Sequence, residues 1–208
     1  MNPGAPFASD IRLNQQITFL AELDKLKNVL RQSLVAGTDR NENSAEHSWH
    51  LALMTLTLME HVRPSDVSQL RVLKMVLIHD IVEIDAGDTF CYDVIGNAGK
   101  AEREQAAAER IFSLLPLDQM KEFREIWDEF EAGITPEAKW AQGLDRLQAA
   151  LQNLRTGGAS WRKHHVTKKQ VLERNKPIGD TMPEIWAALV NQFDLAEAQG
   201  CFFANLSS

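Results

Sequence analysis

Apolar residues recur at spacings of three and four along most of this chain. Ile17, Leu20, Leu23, Leu26, Leu30 and Leu34 form one such series, the pattern of a single helix face, and Gly37 follows as its expected C-terminal stop. A second helix is predicted from about Ser44, with Glu46 and His47 in its early turns, through LALMTLTLMEHV to a close at Pro64. Ser65 or Asp66 is placed to cap a third, which runs to about Ala86 and ends at Gly87. DTFCYDVIGNA (88–98) reads as a loop, and KAEREQAAAERIFSLL as a helix broken by Pro116. LDQMKEFREIWDEFEAG forms the next helix. Thr135-Pro136-Glu137 then starts another, with proline in its first turn, that continues to Gly157-Gly158. ASWRKHH is irregular, VTKKQVLERN a short helix, and PEIWAALVNQFDLAEAQG the last one. No strand, repeat or linker stands out. The pattern predicts a single all-α domain over 1–208, a compact bundle of about seven or eight helices. Its core is expected over about 20–190, with flexible tails at 1–12 and 201–208.

Composition narrows the class. At 208 residues, with 44% hydrophobic and 25% charged residues, the chain is long enough for a sizeable core and has the balance of a globular protein. A net charge of −7 argues against a nucleic-acid partner, which calls for a basic face. No apolar run approaches the roughly 20 residues that span a bilayer, so no membrane partner is expected. MNPGAPFASDIRLN lacks the basic and apolar regions of a signal peptide. Cys91 and Cys201 give no disulfide framework and no zinc-binding spacing. A cytoplasmic location is the expectation.

One stretch departs from the amphipathic pattern. In LKMVLIHDIVEIDAGDTF (73–90), an apolar helix turns ionic at His79, Asp80, Glu83, Asp85 and Asp88. His79 and Glu83 are i, i+4 and Asp80 and Glu83 i, i+3, so each pair shares a helix face. Adjacent His79 and Asp80 can both approach one point beside the helix, and imidazole with carboxylate suits a divalent metal. Further ligands must come from elsewhere. His47 opens one apolar helix and Asp145, between Leu144 and Leu147, lies within another. Each also has an ordinary reading: a hydrogen-bonded core histidine, and an aspartate salt-bridged to Arg146 or a neighbouring helix.

The ordered set His47, His79-Asp80, Asp145 resembles the H…HD…D pattern of the HD-domain metal-dependent phosphohydrolases. ENSAEHSW, HDIVEIDAGD, TPEAKWAQGLDRLQAALQN and GGASWRKHHVTKKQVLERNKPI resemble the small 5′-deoxynucleotidase-like members, the HD-domain-containing protein 2 type, from about residue 20 to 190. The resemblance implies a helical HD domain whose His47, His79, Asp80 and Asp145 hold one divalent ion. That ion is Mn²⁺, Fe²⁺, Co²⁺, Ni²⁺ or Zn²⁺, with Mg²⁺ a further option. It implies that Glu83 and Asp88 handle the nucleophilic water and proton transfer, and that Arg31, or Arg40 instead, contacts the phosphate. The activity implied is phosphomonoester hydrolysis, with 5′-(deoxy)nucleoside monophosphates as leading substrates and a homodimer as the assembly.

Two alternatives keep the same ligands or the same fold. One is an HD phosphodiesterase or an alarmone or nucleotide pyrophosphohydrolase. The other is a non-catalytic helical protein with a structural metal. Asp85 is expected to be solvated or capping, and His50 and His61 to be ordinary helix residues. His164-His165 is not expected to form a second metal site. The five tryptophans are spaced as core or interface anchors, and Arg162 to His165 with Lys168-Lys169 as a solvated face.

Overall fold

The computed structural model describes residues 7, 9–63 and 66–203. Helices dominate, in the order α1 (Ile11–Leu23), α2 (Ser44–Thr57), α3 (Gln69–Ile78), α4 (Glu83–Ala86), α5 (Lys100–Phe112), α6 (Leu117–Ala132), α7 (Pro136–Arg155), α8 (Ala159–Lys163), α9 (Lys168–Asn175), α10 (Ile178–Thr181) and α11 (Pro183–Ala198). The all-α expectation is met, apart from one two-stranded antiparallel sheet, β1 (Leu30–Leu34) with β2 (Asn41–Asn43).

That sheet corrects the first predicted helix. The helix ends at Leu23, a 3-10 turn covers Asp24–Asn28, and the chain then becomes extended. The leucine series mimicked a helix face without being one, since Leu20 and Leu30 are exposed while Leu26 is buried. Strand pairing wins because it satisfies the backbone in place of helical bonds: the Val35 N–H donates to Arg40 O (2.9 Å) and the Ser44 N–H to Val29 O (3.0 Å). Gly37, at φ 78°, turns the hairpin and does not stop a helix.

Elsewhere the local chemistry explains where helices start. Asn43 caps α2 through a capping box with Glu46, Thr135 caps α7 with Pro136 at its first position, and Thr167 and Gln170 form a second box at α9. The cap of α3 is Ser68, which accepts from the Arg71 N–H; Asp66 is not the cap, and Ser65 lies outside the described residues. The third predicted helix is interrupted by a 3-10 turn at His79–Val82 before α4. ASWRKHH, expected to be irregular, begins with the short helix α8. Of the stretches expected as tails, Ile11 and Arg12 belong to α1, Cys201 and Phe202 are buried, and 1–6, 8 and 204–208 lie outside the described residues.

The central element is α7, which packs against α2, α3, α6, α10 and β1. Trp140, Leu144 and Leu147 enter the core beside Leu51, Met75 and Ile126, all essentially inaccessible. Each such side chain contributes about 1.5–3 kcal/mol by burial. Asp145, Gln148 and Gln152 lie at i, i+3 and i+7 on another face of α7, with Gln148 and Gln152 reaching the hairpin at Glu42. The core thereby fixes the helix that carries Asp145.

Candidate metal centre

The 3-10 turn after α3 places His79 and Asp80 inside the protein. The His79 ring donates its Nδ1–H to Val76 O (3.1 Å), and the Trp127 indole N–H donates to His79 O (3.2 Å). The buried His79 Nε2 has no hydrogen-bond partner, although Asp80 Oδ1 is 3.0 Å away. With its proton on Nδ1, the ring turns a lone pair toward a carboxylate oxygen. Two acceptors at that distance repel unless a proton or a metal cation lies between them.

His47, on the first turns of α2, repeats the arrangement. Its Nδ1–H donates to Gln148 Oε1 (3.0 Å), while the Gln148 amide N–H donates to Glu42 Oε1 (2.9 Å). Nε2 then faces Asp145 Oδ1 at 3.0 Å and Asp80 Oδ2 at 3.9 Å. One ligand atom each from His47, His79 and Asp80 lies within 4.8 Å of the others, and all three residues are buried. The donor set, the bare Nε2 atoms and the facing carboxylates fit a divalent ion.

Burial sets the electrostatics. It drives His47 down to about 3, helped by the Arg31 charge, and lowers His79 as well, so both imidazoles are neutral donors near neutral pH. Burial pushes Asp80 up to about 8 against the pull of Arg31. It raises Glu83 well above the carboxylate range with help from Asp80, and it raises Asp88 too. Burial opposes the charge of Asp145, but the Arg31 guanidinium at 3.8 Å outweighs it and holds that carboxyl low.

Arg31 comes to this cluster from β1. Its guanidinium lies 3.0 Å from Asp80, 3.8 Å from Asp88, 3.8 Å from Asp145 and 3.6 Å from Glu42. Arg40 does not reach the cluster: it forms a fork on Glu46 (2.8 and 2.9 Å) at the surface and lines a different cavity. Glu83 Oε2 accepts from the Ser44 hydroxyl (2.6 Å). Gly87, at φ 74° and ψ 152°, ends α4 and turns the chain to Asp88. Asp85 points away and pairs with Arg110. Arg31, Asp80, Glu83, Asp88 and Asp145 line one cavity of about 220 Å³.

Glu42, Ser44, Gln148 and Lys100 were not singled out by the sequence. Gln148 shares a helix face with Asp145 at i, i+3, and that spacing is the signal that could have found it. Glu42 and Ser44 could have been found only by their nearness to His47 in ENSAEHSW. Lys100 lines the cavity from the start of α5 and carried no such signal.

Fold and cluster together define a helical protein with a buried His/Asp centre open to a cavity. The HD domain family model matches residues 23–186, and the chain belongs to the HD-domain family. It is 32% identical to the human 5′-deoxynucleotidase HDDC2 over 137 residues, 65% of this chain and 65% of that protein. This chain thus matches just under two thirds of the length of that relative. It is 29% identical to the 5′-deoxynucleotidase hdd1 of Schizosaccharomyces pombe, over 65% of this chain and 69% of that one. Among solved structures it is similar to a predicted metal-dependent phosphohydrolase from Magnetospirillum magnetotacticum MS-1, with 43% identity and a TM-score of 0.90, covering 96% of this chain and 100% of that one. The PH0347 protein from Pyrococcus horikoshii shares the fold at 20% identity and a TM-score of 0.67, over 85% of this chain and 99% of that one. Among the described residues no helix is long and apolar enough to cross a membrane.

Proposed function

We propose that this chain is a metal-dependent phosphomonoesterase acting on 5′-(deoxy)nucleoside monophosphates or similarly small phosphorylated metabolites. The observation that carries the reading is the convergence of His47, His79, Asp80 and Asp145 beside an arginine and two further carboxylates at one cavity. Similarity to 5′-deoxynucleotidases supports the substrate class.

His47, His79, Asp80 and Asp145 would hold the ion. Mn²⁺, Fe²⁺, Co²⁺, Ni²⁺ or Zn²⁺ suits their mixed imidazole and carboxylate donors. When bound, such an ion supplies Lewis acidity toward a phosphoryl oxygen and acidifies water. With their charge offset in holding the ion, Asp80 and Asp145 would release Arg31, whose guanidinium would then neutralise the phosphate. Glu83, fixed by Ser44, and Asp88, at the cavity wall, carry the protons. One accepts a proton from the attacking water and the other returns one to the leaving alkoxide as the P–O bond breaks. Their raised affinity for protons suits both tasks.

The reading includes a cytoplasmic homodimer. Two free cysteines, Cys91 and Cys201, fit a reducing compartment. Trp49, Leu53 and Leu56 are exposed at i, i+4 and i+7 on α2, an apolar stripe that a second copy would cover.

The test is phosphate release from a panel of nucleoside 5′-monophosphates by protein loaded with Mn²⁺, Co²⁺ or Mg²⁺. Release from 5′-deoxynucleotides is expected. Turnover confined to cyclic nucleotides or to pyrophosphate-linked nucleotides would move the chain to another hydrolase class.

A further inference from the structure

The cavity beside the cluster has two cationic regions with opposite surroundings. Arg31 is held by four carboxylates within 4 Å, those of Glu42, Asp80, Asp88 and Asp145. Arg146 on α7 and Arg174 on α9 line the same cavity. Among the described residues neither has a carboxylate within ion-pair distance. Arg146 Nη2 donates only to Gln142 Oε1 (3.3 Å), and its buried Nε has no hydrogen-bond partner. The carboxylate beside it, Asp145, is turned to Arg31 at 3.8 Å and to His47 Nε2 at 3.0 Å. Burial and the Arg174 charge together pull the Arg146 guanidinium below its ordinary value. Two like charges facing one concave surface are stabilised by an anion placed between them. Guanidinium forks match the oxygens of phosphate in particular. Phe90, Tyr92 and Trp161 contribute aromatic walls to the cavity, which suits a nucleoside-sized body.

We propose that Arg146 and Arg174 form a second anion subsite that holds a second phosphate of the substrate. The preferred substrate is then a small nucleoside-like metabolite phosphorylated at two positions. The proposal rests on the phosphomonoesterase reading for its chemistry. Water adds to the phosphorus at the metal end, the P–O bond breaks, and one water proton passes to the leaving alkoxide. Alcohol and inorganic phosphate result, and the second phosphate stays on the product.

The test compares deoxyadenosine 5′-monophosphate with deoxyadenosine 3′,5′-bisphosphate in metal-loaded wild type, Arg174→Gln and Arg174→Lys. Phosphate release gives kcat/KM, and calorimetry gives the affinity of the non-hydrolysable 5′-phosphonate isosteres with and without a 3′-phosphate. Arg174 is exposed at the cavity rim on α9, so its replacement leaves the core intact. Wild type is expected to favour the second phosphate by about tenfold or more in both readouts. Arg174→Gln should bring the ratio close to one, with Arg174→Lys in between because it keeps charge but loses the fork. Equal handling of both ligands by wild type, or a preference that survives Arg174→Gln, overturns the subsite. If neither nucleotide is hydrolysed but the phosphonate preference falls in Arg174→Gln, the subsite stands and the phosphomonoesterase reading fails.

Discussion

His47 and His79 are oriented by what their Nδ1 atoms donate to, Gln148 Oε1 and Val76 O, and not by the carboxylates that their Nε2 atoms face. Removing such an outer contact weakens metal binding by about 10–100-fold. Gln148→Leu is therefore expected to lower metal affinity by that factor in competition with a chelator, while retaining much of its activity at saturating metal. Unchanged affinity would remove Gln148 from the account. A pH effect follows from Asp80, whose folded value of about 8 exceeds the ordinary aspartate value of about 4. The fold binds this proton more tightly than the unfolded chain does. Asp80 alone would therefore cost the fold stability as pH rises from about 4 to about 8. Below about 6.5 this loss is opposed by His47 and His79, whose lowered values make the fold gain stability as pH rises. From about 6.5 to about 8, where both rings are neutral folded or unfolded, the metal-free protein should therefore lose stability, and Glu83 and Asp88 act in the same direction. A bound cation takes the place of the proton and should flatten the trend. Melting temperatures with chelator and with Mn²⁺ check this, and a metal-free Tm that climbs over that range contradicts it. The four proposed ligands were legible as residues because ionic groups stood among apolar neighbours. The choice between Arg31 and Arg40 was not, since both precede His47 and only the hairpin turns one of them inward.

The short elements place the chemistry. Gly87 closes α4 in a backbone region nearly restricted to glycine, and a Cβ there would meet nothing within 4 Å. Gly87→Ala should therefore cost about 1–3 kcal/mol from backbone strain alone. It should also lower kcat beyond that loss of stability by shifting Asp88. Equal kcat in a folded variant would show that Asp88 needs no fixed position. Caps and proline breaks made α5, α6, α7 and α11 legible, because their signals lie within the elements themselves. The hairpin was not legible. Its leucines fit a helical period by coincidence, and the contacts that make it extended come from residues such as Asn41, whose amide donates to Arg31 O. The 3-10 turn at His79–Val82 escaped for a related reason. The Trp127 indole that bonds to His79 O belongs to α6, 48 residues further along the chain.

The whole molecule surrounds α7, and its far end is closed by the segment after α11. Phe202 stacks on Trp161 with centroids 4.7 Å apart, and Trp161 also lines the cavity. Phe202→Ala is expected to destabilise the protein by about 2–4 kcal/mol in denaturant unfolding, and no loss would show that the segment is a loose tail. Gly158 sits under this contact, and a Cβ on it would fall 2.1 Å from Cys201 O. None of this closure was legible, because a short C-terminal stretch shows no period and its partners are distant in sequence. The net charge of −7 also gave no hint of a cavity lined by Arg31, Arg146 and Arg174. The central claim is that bound metal and phosphomonoester hydrolysis are one property of this cavity. Titrating metal-free protein with Mn²⁺, while following bound metal and phosphate release from a 5′-deoxynucleotide, tests it most directly. Release should rise in proportion to occupancy and level off at one ion per chain, with Asp80→Asn binding little metal and releasing little phosphate. Full release before any metal is added, or none at full occupancy, would contradict the account.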